Sequence, residues 1–174
     1  TYLAPLAFIV FLSMVKDAFE DYKRYKSDQE ENEKSCQVWD GKNFKTIQWS
    51  QVQVGHLVRI DKDSFFPADL LLLGSSEFRK GICFIETKNL DGETNLKSKV
   101  LPEEVKAAVQ SDEDVLKLAG TMINAEGPNQ YLSKFKGSMM FQGKKVPLSE
   151  ANFLLRGCIL RNVDHVFGVV IYTG

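Results

Sequence analysis

Four consecutive residues, Asp91-Gly92-Glu93-Thr94, set two carboxylates and a hydroxyl around a glycine. Asp-Gly is the commonest dipeptide of two-residue hairpin turns, so by itself the pair reads as a bend between strands. Its neighbours suggest more. Leu90 and Leu96 flank the bend and are expected to anchor both legs in the core. Asn89, Thr94 and Asn95 are short side chains able to bond the loop's own backbone. A bend braced in this way would hold Glu93 still at its tip, and Gly92, without a Cβ, would let another group come close. One carboxylate with no second acid, base or metal ligand completes little chemistry alone. It can position a water and take its proton if the electrophile arrives from elsewhere. The chain's other Asp-Gly pair, Asp40-Gly41, precedes Lys42 and is expected to be a plain hairpin.

Other chemistries fail on spacing. Asp61 and Asp63 begin like a calcium loop, but Phe66 and Leu72 stand where the glycine and the closing glutamate belong. In "GSMMFQGKK" five residues separate the glycines where a phosphate loop has four, and Lys145 replaces its Ser or Thr. His56 and His165 lie far from Cys36, Cys83 and Cys158, so no zinc ligand set forms, and three scattered cysteines suit reduced thiols. No serine sits in a nucleophile-elbow context. A net charge of −1 gives no basic face for nucleic acid.

The elements that must hold Glu93 follow from pattern. The 174 residues suffice for one domain with a core and an appendage. Residues 2–15, "YLAPLAFIVFLSMV", form an uncharged apolar run too short to cross a bilayer alone. Of a buried core helix, a peripheral membrane helix and the second half of a membrane span, the last fits best, because Lys16, Lys23, Arg24 and Lys26 follow it as on a cytoplasmic flank. The helix should continue to about Asp28, with Lys16–Glu20 and Glu20–Arg24 pairs, before "SDQEENEKS" acts as a solvated linker. From Ser35 short strands are expected, with hairpins at Asp40-Gly41 and Gln142-Gly143. "DLLLLGS" and "GICFIETK" read as strands buried on both faces. Residues 111–123 form a helix candidate with Ser111 as N-cap and Asp114 completing its box. "NFLLRGCILRN" and "VFGVVIYTG" read as two closing strands joined at Asn162–His165. The fold class is mainly β, a compact sandwich or barrel-like core with peripheral helices.

Taken together, "FPADLLLL" (66–73), "CFIETKNLDGETNLK" (83–97), "NFLLRGCILRN" and "VFGVVIYTG" resemble the actuator domain of P-type ATPases. Asp-Gly-Glu-Thr followed by Asn-Leu-Lys, and "VKDAFEDYKRYKSD" (15–28), are similar to the phospholipid flippases in particular. The resemblance covers nearly the whole chain and is weakest from about 98 to 147. It implies a distorted β-sandwich (double-stranded β-helix) actuator domain at 35–174, with 98–147 a variable insertion carrying a helix and a hairpin. Residues 1–34 would be the end of a transmembrane helix, a cytosolic stalk and a linker, with residues after about 16 on the cytosolic side. Glu93 would then position water as general base against an aspartyl phosphate made in another domain. Gly92 would permit close approach, and Asp91 and Thr94 would shape the loop. Partners would be the phosphorylation and nucleotide-binding domains of the same full-length chain, a membrane phospholipid as cargo, and room for an accessory subunit. ATP and Mg²⁺ belong to the full-length protein, with no cofactor and no metal in these residues, and the chain alone is expected to be inactive.

Pro67 and Asp69 match the family's Pro-Ala-Asp motif and are read as fixing the start of a strand. Arg156, Cys158 and Arg161 are read as strand contacts and surface pairs, His56 and His165 as ordinary surface or turn histidines, and Met139-Met140 as core or hairpin contacts. Three other readings stay open. One is the actuator of an ion pump, and a second is a non-catalytic membrane-tethered β module that binds a protein. The third is a free-standing hydrolase using Asp69, Glu86 or Glu93.

Overall fold

The computed structural model describes residues 3–127 and 134–173. Tyr2 of the apolar run, residues 131–133 of the expected second hairpin segment, and Gly174 of the second closing strand lie outside the described residues. The chain begins with helix α1 (Leu3–Asn32) and continues as strands β1 (Ser35–Trp39), β2 (Phe44–Gln48), β3 (Leu57–Asp61), β4 (Asp69–Ser75) and β5 (Ile82–Glu86). A helical turn α2 (Lys88–Asp91) leads to β6 (Lys97–Val100), then short helices α3 (Glu103–Ala108) and α4 (Asp112–Leu116). Strands β7 (Ile123–Ala125), β8 (Lys136–Phe141), β9 (Lys144–Ser149), β10 (Phe153–Leu154), β11 (Ile159–Arg161) and β12 (His165–Tyr172) complete it. The fold is mainly β with peripheral helices, as the pattern of short strands predicts.

Three antiparallel sheets form. The largest runs β10-β4-β12-β3-β1-β2; the others are β11-β5-β6 and β7-β8-β9. β4 sits between two strands and is buried from Leu70 through Ser75, which is why its sequence is a continuous apolar run. β5 corrects the expectation of a strand buried on both faces. Cys83 and Ile85 are buried while Ile82, Phe84 and Glu86 are half-buried, an alternation with one inward face.

The closing strands also differ from expectation. "NFLLRGCILRN" is two strands in two different sheets, broken at Gly157, whose φ of +80° turns the chain. That break joins the sheets: the amide of Phe66 donates to Cys158 O (3.0 Å), and Gly157 N donates back to Phe66 O (3.1 Å). Phe66 is fully buried there. Asp69, at the start of β4, accepts the Arg156 amide at 2.8 Å across the same junction.

α1 is longer than the sequence suggests. The acidic stretch expected as a linker is helical to Asn32, because Gln and Glu are good helix formers and Lys26–Glu30 (3.9 Å) and Lys34–Glu31 (3.4 Å) pair along it. Lys16 pairs with Glu20 at 3.5 Å as predicted, whereas Arg24 turns to Asp21 (3.7 Å) instead of Glu20. No residue of α1 is buried. Among the described residues no helix is long and apolar enough to cross a membrane.

Residues 98–147 add buried side chains of their own to the core, Val105, Val115 and Met139 among them. Ser111 caps α4, its hydroxyl accepting the Asp114 amide at 3.3 Å, but the helix stops at Leu116 and Ile123 already belongs to β7. Val115 presses on the β4 backbone at Gly74, where an added Cβ would lie 2.5 Å from a Val115 methyl. His165, expected to be an ordinary turn residue, reaches α4: its Nε2 lies 3.0 Å from Asp112 while its ring meets Phe167 edge-on. Gly74→Ala should therefore cost about 1–3 kcal/mol of stability, the usual cost of overfilling a core, and lower the urea midpoint accordingly. Adding Val115→Ala should recover part of that loss; an unchanged midpoint in the single variant would show that α4 does not seat on β4.

Candidate functional site

β5 delivers the site. It lies between β6 and β11, with Ile85 opposite Lys97 and Glu86 opposite Ile159, so both sides of its C-terminal end are held in a ladder. The chain leaves it at Thr87, which is buried, and makes one helical turn instead of the hairpin its Asp-Gly pair predicts. The amides of Leu90 and Asp91 donate to Thr87 O at 2.8 and 3.1 Å. Gly92 ends the turn with φ +75°, its own N–H donating to Lys88 O at 3.0 Å. That left-handed geometry is the local reason for a glycine.

Asp91 braces the bend. Its carboxylate accepts from the Thr87 hydroxyl (2.9 and 3.0 Å), from the Glu93 amide (2.9 Å) and from the Lys97 ammonium (2.5 Å). The Lys97 contact and then the Glu93 amide pull its pKa down to about 2. The braces expected of Asn89, Thr94 and Asn95 are thus supplied by Asp91, Thr87 and Lys97. Leu90 and Leu96 are not core anchors either; they are 38% and 40% exposed.

Glu93 projects from the tip. Its side chain is 59% exposed, with one carboxylate oxygen 3.1 Å from Lys97 Nζ. Among the described residues, an added Cβ on Gly92 would meet nothing within 4 Å, so the space beside the bend is open to them. Thr94 is exposed as well. Lys97 was not legible as a site residue, although its i+4 spacing from Glu93 is the signal that finds it.

Behind the bend lies a cavity of about 530 Å³, bordered by Leu90, Asp91, Lys97, Lys99, Glu150 and Phe153. Lys99 donates to Glu150 O at 2.7 Å, and burial lowers its pKa. The other acids considered for hydrolysis are engaged elsewhere. Glu86 accepts from Arg161 (2.9 and 3.0 Å), which also reaches Asp63. Asp69 takes the Arg156 amide, while burial raises its pKa. Arg156 itself donates to Thr173 O at 2.9 Å.

Cys36, Cys83 and Cys158 are free, buried thiols. His56 accepts the Gln53 amide at 3.2 Å in a turn, Pro67 is buried, and Met139 is core while Met140 is half on the surface. Among the described residues no group of three or more His, Cys, Asp or Glu side chains is placed to hold a metal.

No family model matches the chain. Individual proteins do. It is 46% identical over 173 residues to phospholipid-transporting ATPase 6 of Arabidopsis thaliana and 45% identical over 173 residues to probable phospholipid-transporting ATPase 11 of the same plant. It is 41% identical over 174 residues to phospholipid-transporting ATPase IC of Homo sapiens. These matches cover 99–100% of this chain and 14% of each relative, so the chain spans about one-seventh of the length of the curated proteins it matches.

The lowered pKa of Asp91 is measurable. An unfolded aspartate titrates near 3.9, above the folded value of about 2. The bend's contribution is therefore complete above pH about 4 and is lost as pH falls toward 2. The Asp91 carboxyl carbon should titrate near 2 by NMR, and Lys97→Met should move that midpoint upward. A midpoint near 4 in the unsubstituted chain would mean the carboxylate is free.

Proposed function

We propose a function from one premise: along its length this chain belongs to the phospholipid-transporting ATPases. It is the actuator domain, residues 35–174, following a helical stalk. Its bend at Asp91–Thr94 discharges an aspartyl phosphate formed in another domain of the full-length chain. The observation that carries this reading is the pose of Glu93, a carboxylate on a bend fixed from behind and open in front.

The chemistry follows from that pose. Glu93 accepts a hydrogen bond from a water and aims its lone pair at the phosphorus of the incoming acyl phosphate. As the water's oxygen bonds to phosphorus, its proton passes to Glu93. The bond from phosphorus to the aspartyl oxygen breaks, leaving a free aspartate and inorganic phosphate. Gly92 presents no side chain to obstruct the phosphoryl group, and the exposed Leu90 and Leu96 offer apolar shoulders to the phosphorylation domain. Asp91 keeps the shape of the loop, while Thr94 lies exposed beside Glu93. ATP and Mg²⁺ serve the partner domains, where the acyl phosphate is made.

Coupling to lipid movement runs through α1. At 1.5 Å per residue its 30 residues span about 45 Å without a break. Its apolar half, from Leu3 to Val15, is exposed on every side, as suits a segment covered by lipid or by other membrane helices. Lys16 onward would lie on the cytosolic side. Rotation of the β domain about that rod is the route by which discharge reaches the phospholipid site.

The test uses the full-length transporter phosphorylated with labelled ATP. Glu93→Gln should form the phosphoenzyme normally and slow its decay by at least about 10²-fold, the lower range for loss of a general base. Decay at the unsubstituted rate would remove Glu93 from the reaction and favour a non-catalytic β module. The isolated chain should release no phosphate from acetyl phosphate or ATP, and clear turnover would contradict the division of labour.

A further inference from the structure

The proposed reaction assigns no task to Lys97, yet the geometry puts its ammonium between both acids of the bend, 2.5 Å from Asp91 and 3.1 Å from Glu93. We infer that Lys97 is the positioning residue that fixes the rotamer of Glu93, acting as a strut from β6 to the tip of the loop. The inference rests on the proposed role of Glu93 and extends it.

Three features support a strut over an incidental surface pair. Exposed ion pairs are weak because two flexible side chains must be frozen together. Here one partner is already frozen, since the Thr87 hydroxyl and the Glu93 amide hold Asp91 in place. Lys97 is likewise rooted, being the first residue of β6 and paired with Ile85 in the ladder. The loop from 87 to 96 leaves that ladder on one strand and returns on the other, so the ammonium ties the outgoing leg, the returning leg and the tip. Its two contacts raise its own pKa, Asp91 contributing more than Glu93, so it stays a cation wherever the bend operates. With Lys97 neutral, Glu93 keeps its backbone position through Asp91 but loses the contact that orients its carboxylate. What suffers is discharge of the phosphoenzyme, since formation takes place in other domains.

The experiment compares Lys97→Met, Lys97→Gln and Lys97→Arg in the full-length transporter, each alone and with Glu93→Gln, reading formation and decay of the phosphoenzyme separately. Lys97→Met and Lys97→Gln should form it to the usual level and slow decay about tenfold, a coupling of ordinary size for neighbouring residues. Lys97→Arg, whose fork can also span two carboxylates, should decay within about threefold of the unsubstituted protein. In the Glu93→Gln background Lys97→Met should change nothing further, because no base remains to be oriented. Normal decay in Lys97→Met and Lys97→Gln overturns the strut, as does failure of arginine to rescue or an added slowing on top of Glu93→Gln. Normal decay in Glu93→Gln itself would instead overturn the underlying reading, so the two failures are distinct.

Discussion

The bend at the tip of β5 depends on the carboxylate of Asp91. A chain leaving a strand through a glycine at φ +75° has no reason to return along a defined path. Asp91 supplies one by accepting from the residue four before it, the residue two after it and the lysine six after it. A carboxylate has room for about four such bonds, and here the donors come from both legs of the loop. Each donor is weak on an exposed surface. Together they close rings that share one oxygen pair, so ordering one contact lowers the entropic cost of the next.

The sheets give that carboxylate a fixed address. Thr87 is buried because β5 is the middle strand of its sheet, with β6 on one side and β11 on the other. That sheet in turn is locked to the large one where Phe66 exchanges hydrogen bonds with the Gly157-Cys158 turn. The Asp69 contact to the Arg156 amide spans the same junction, and Arg161 ties β11 to the end of β5 through Glu86. The Pro-Ala-Asp segment therefore matters at a distance: it sets where β4 starts and hence how the two sheets meet.

What could be read from the sequence follows the range of the interactions involved. Gln142-Gly143 was legible as a hairpin because its requirement is local: both residues take positive φ, and Phe141 pairs with Lys144 directly across. Asp91-Gly92 carries the same kind of signal and does something else. A buried threonine four residues earlier competes for the aspartate, and the strands on either side pair too far back for a two-residue turn. Leu90 and Leu96 misled for a related reason, since an apolar residue next to a turn need not face its own core. The acidic stretch before Ser35 looked like a linker by charge, yet its glutamine and glutamates keep the helical path to Asn32. The identity of Glu93 was visible; the identity of the groups that hold it was not, because Thr87 and Lys97 matter only once the turn is folded.

A bend fixed from behind and bare in front is an unusual thing for a small β domain to maintain. Leu90 and Leu96 remain partly in solvent on either side of Glu93, and no side chain among the described residues occupies the space an added Gly92 methyl would enter. Folding alone would favour turning those leucines inward, at roughly 25 cal/mol for each Å² of apolar surface covered. The Asp91 network ties Thr87, Glu93 and Lys97 to one carboxylate, which holds in place the leg that carries Leu90 and the leg that carries Leu96. The stiffness of the bend and the exposure of its tip are therefore one property. A domain that reached an electrophile by flexible search would need neither; on the proposed reading, in which it arrives by rigid rotation, it needs both, since the acid must already be aimed when the surfaces meet.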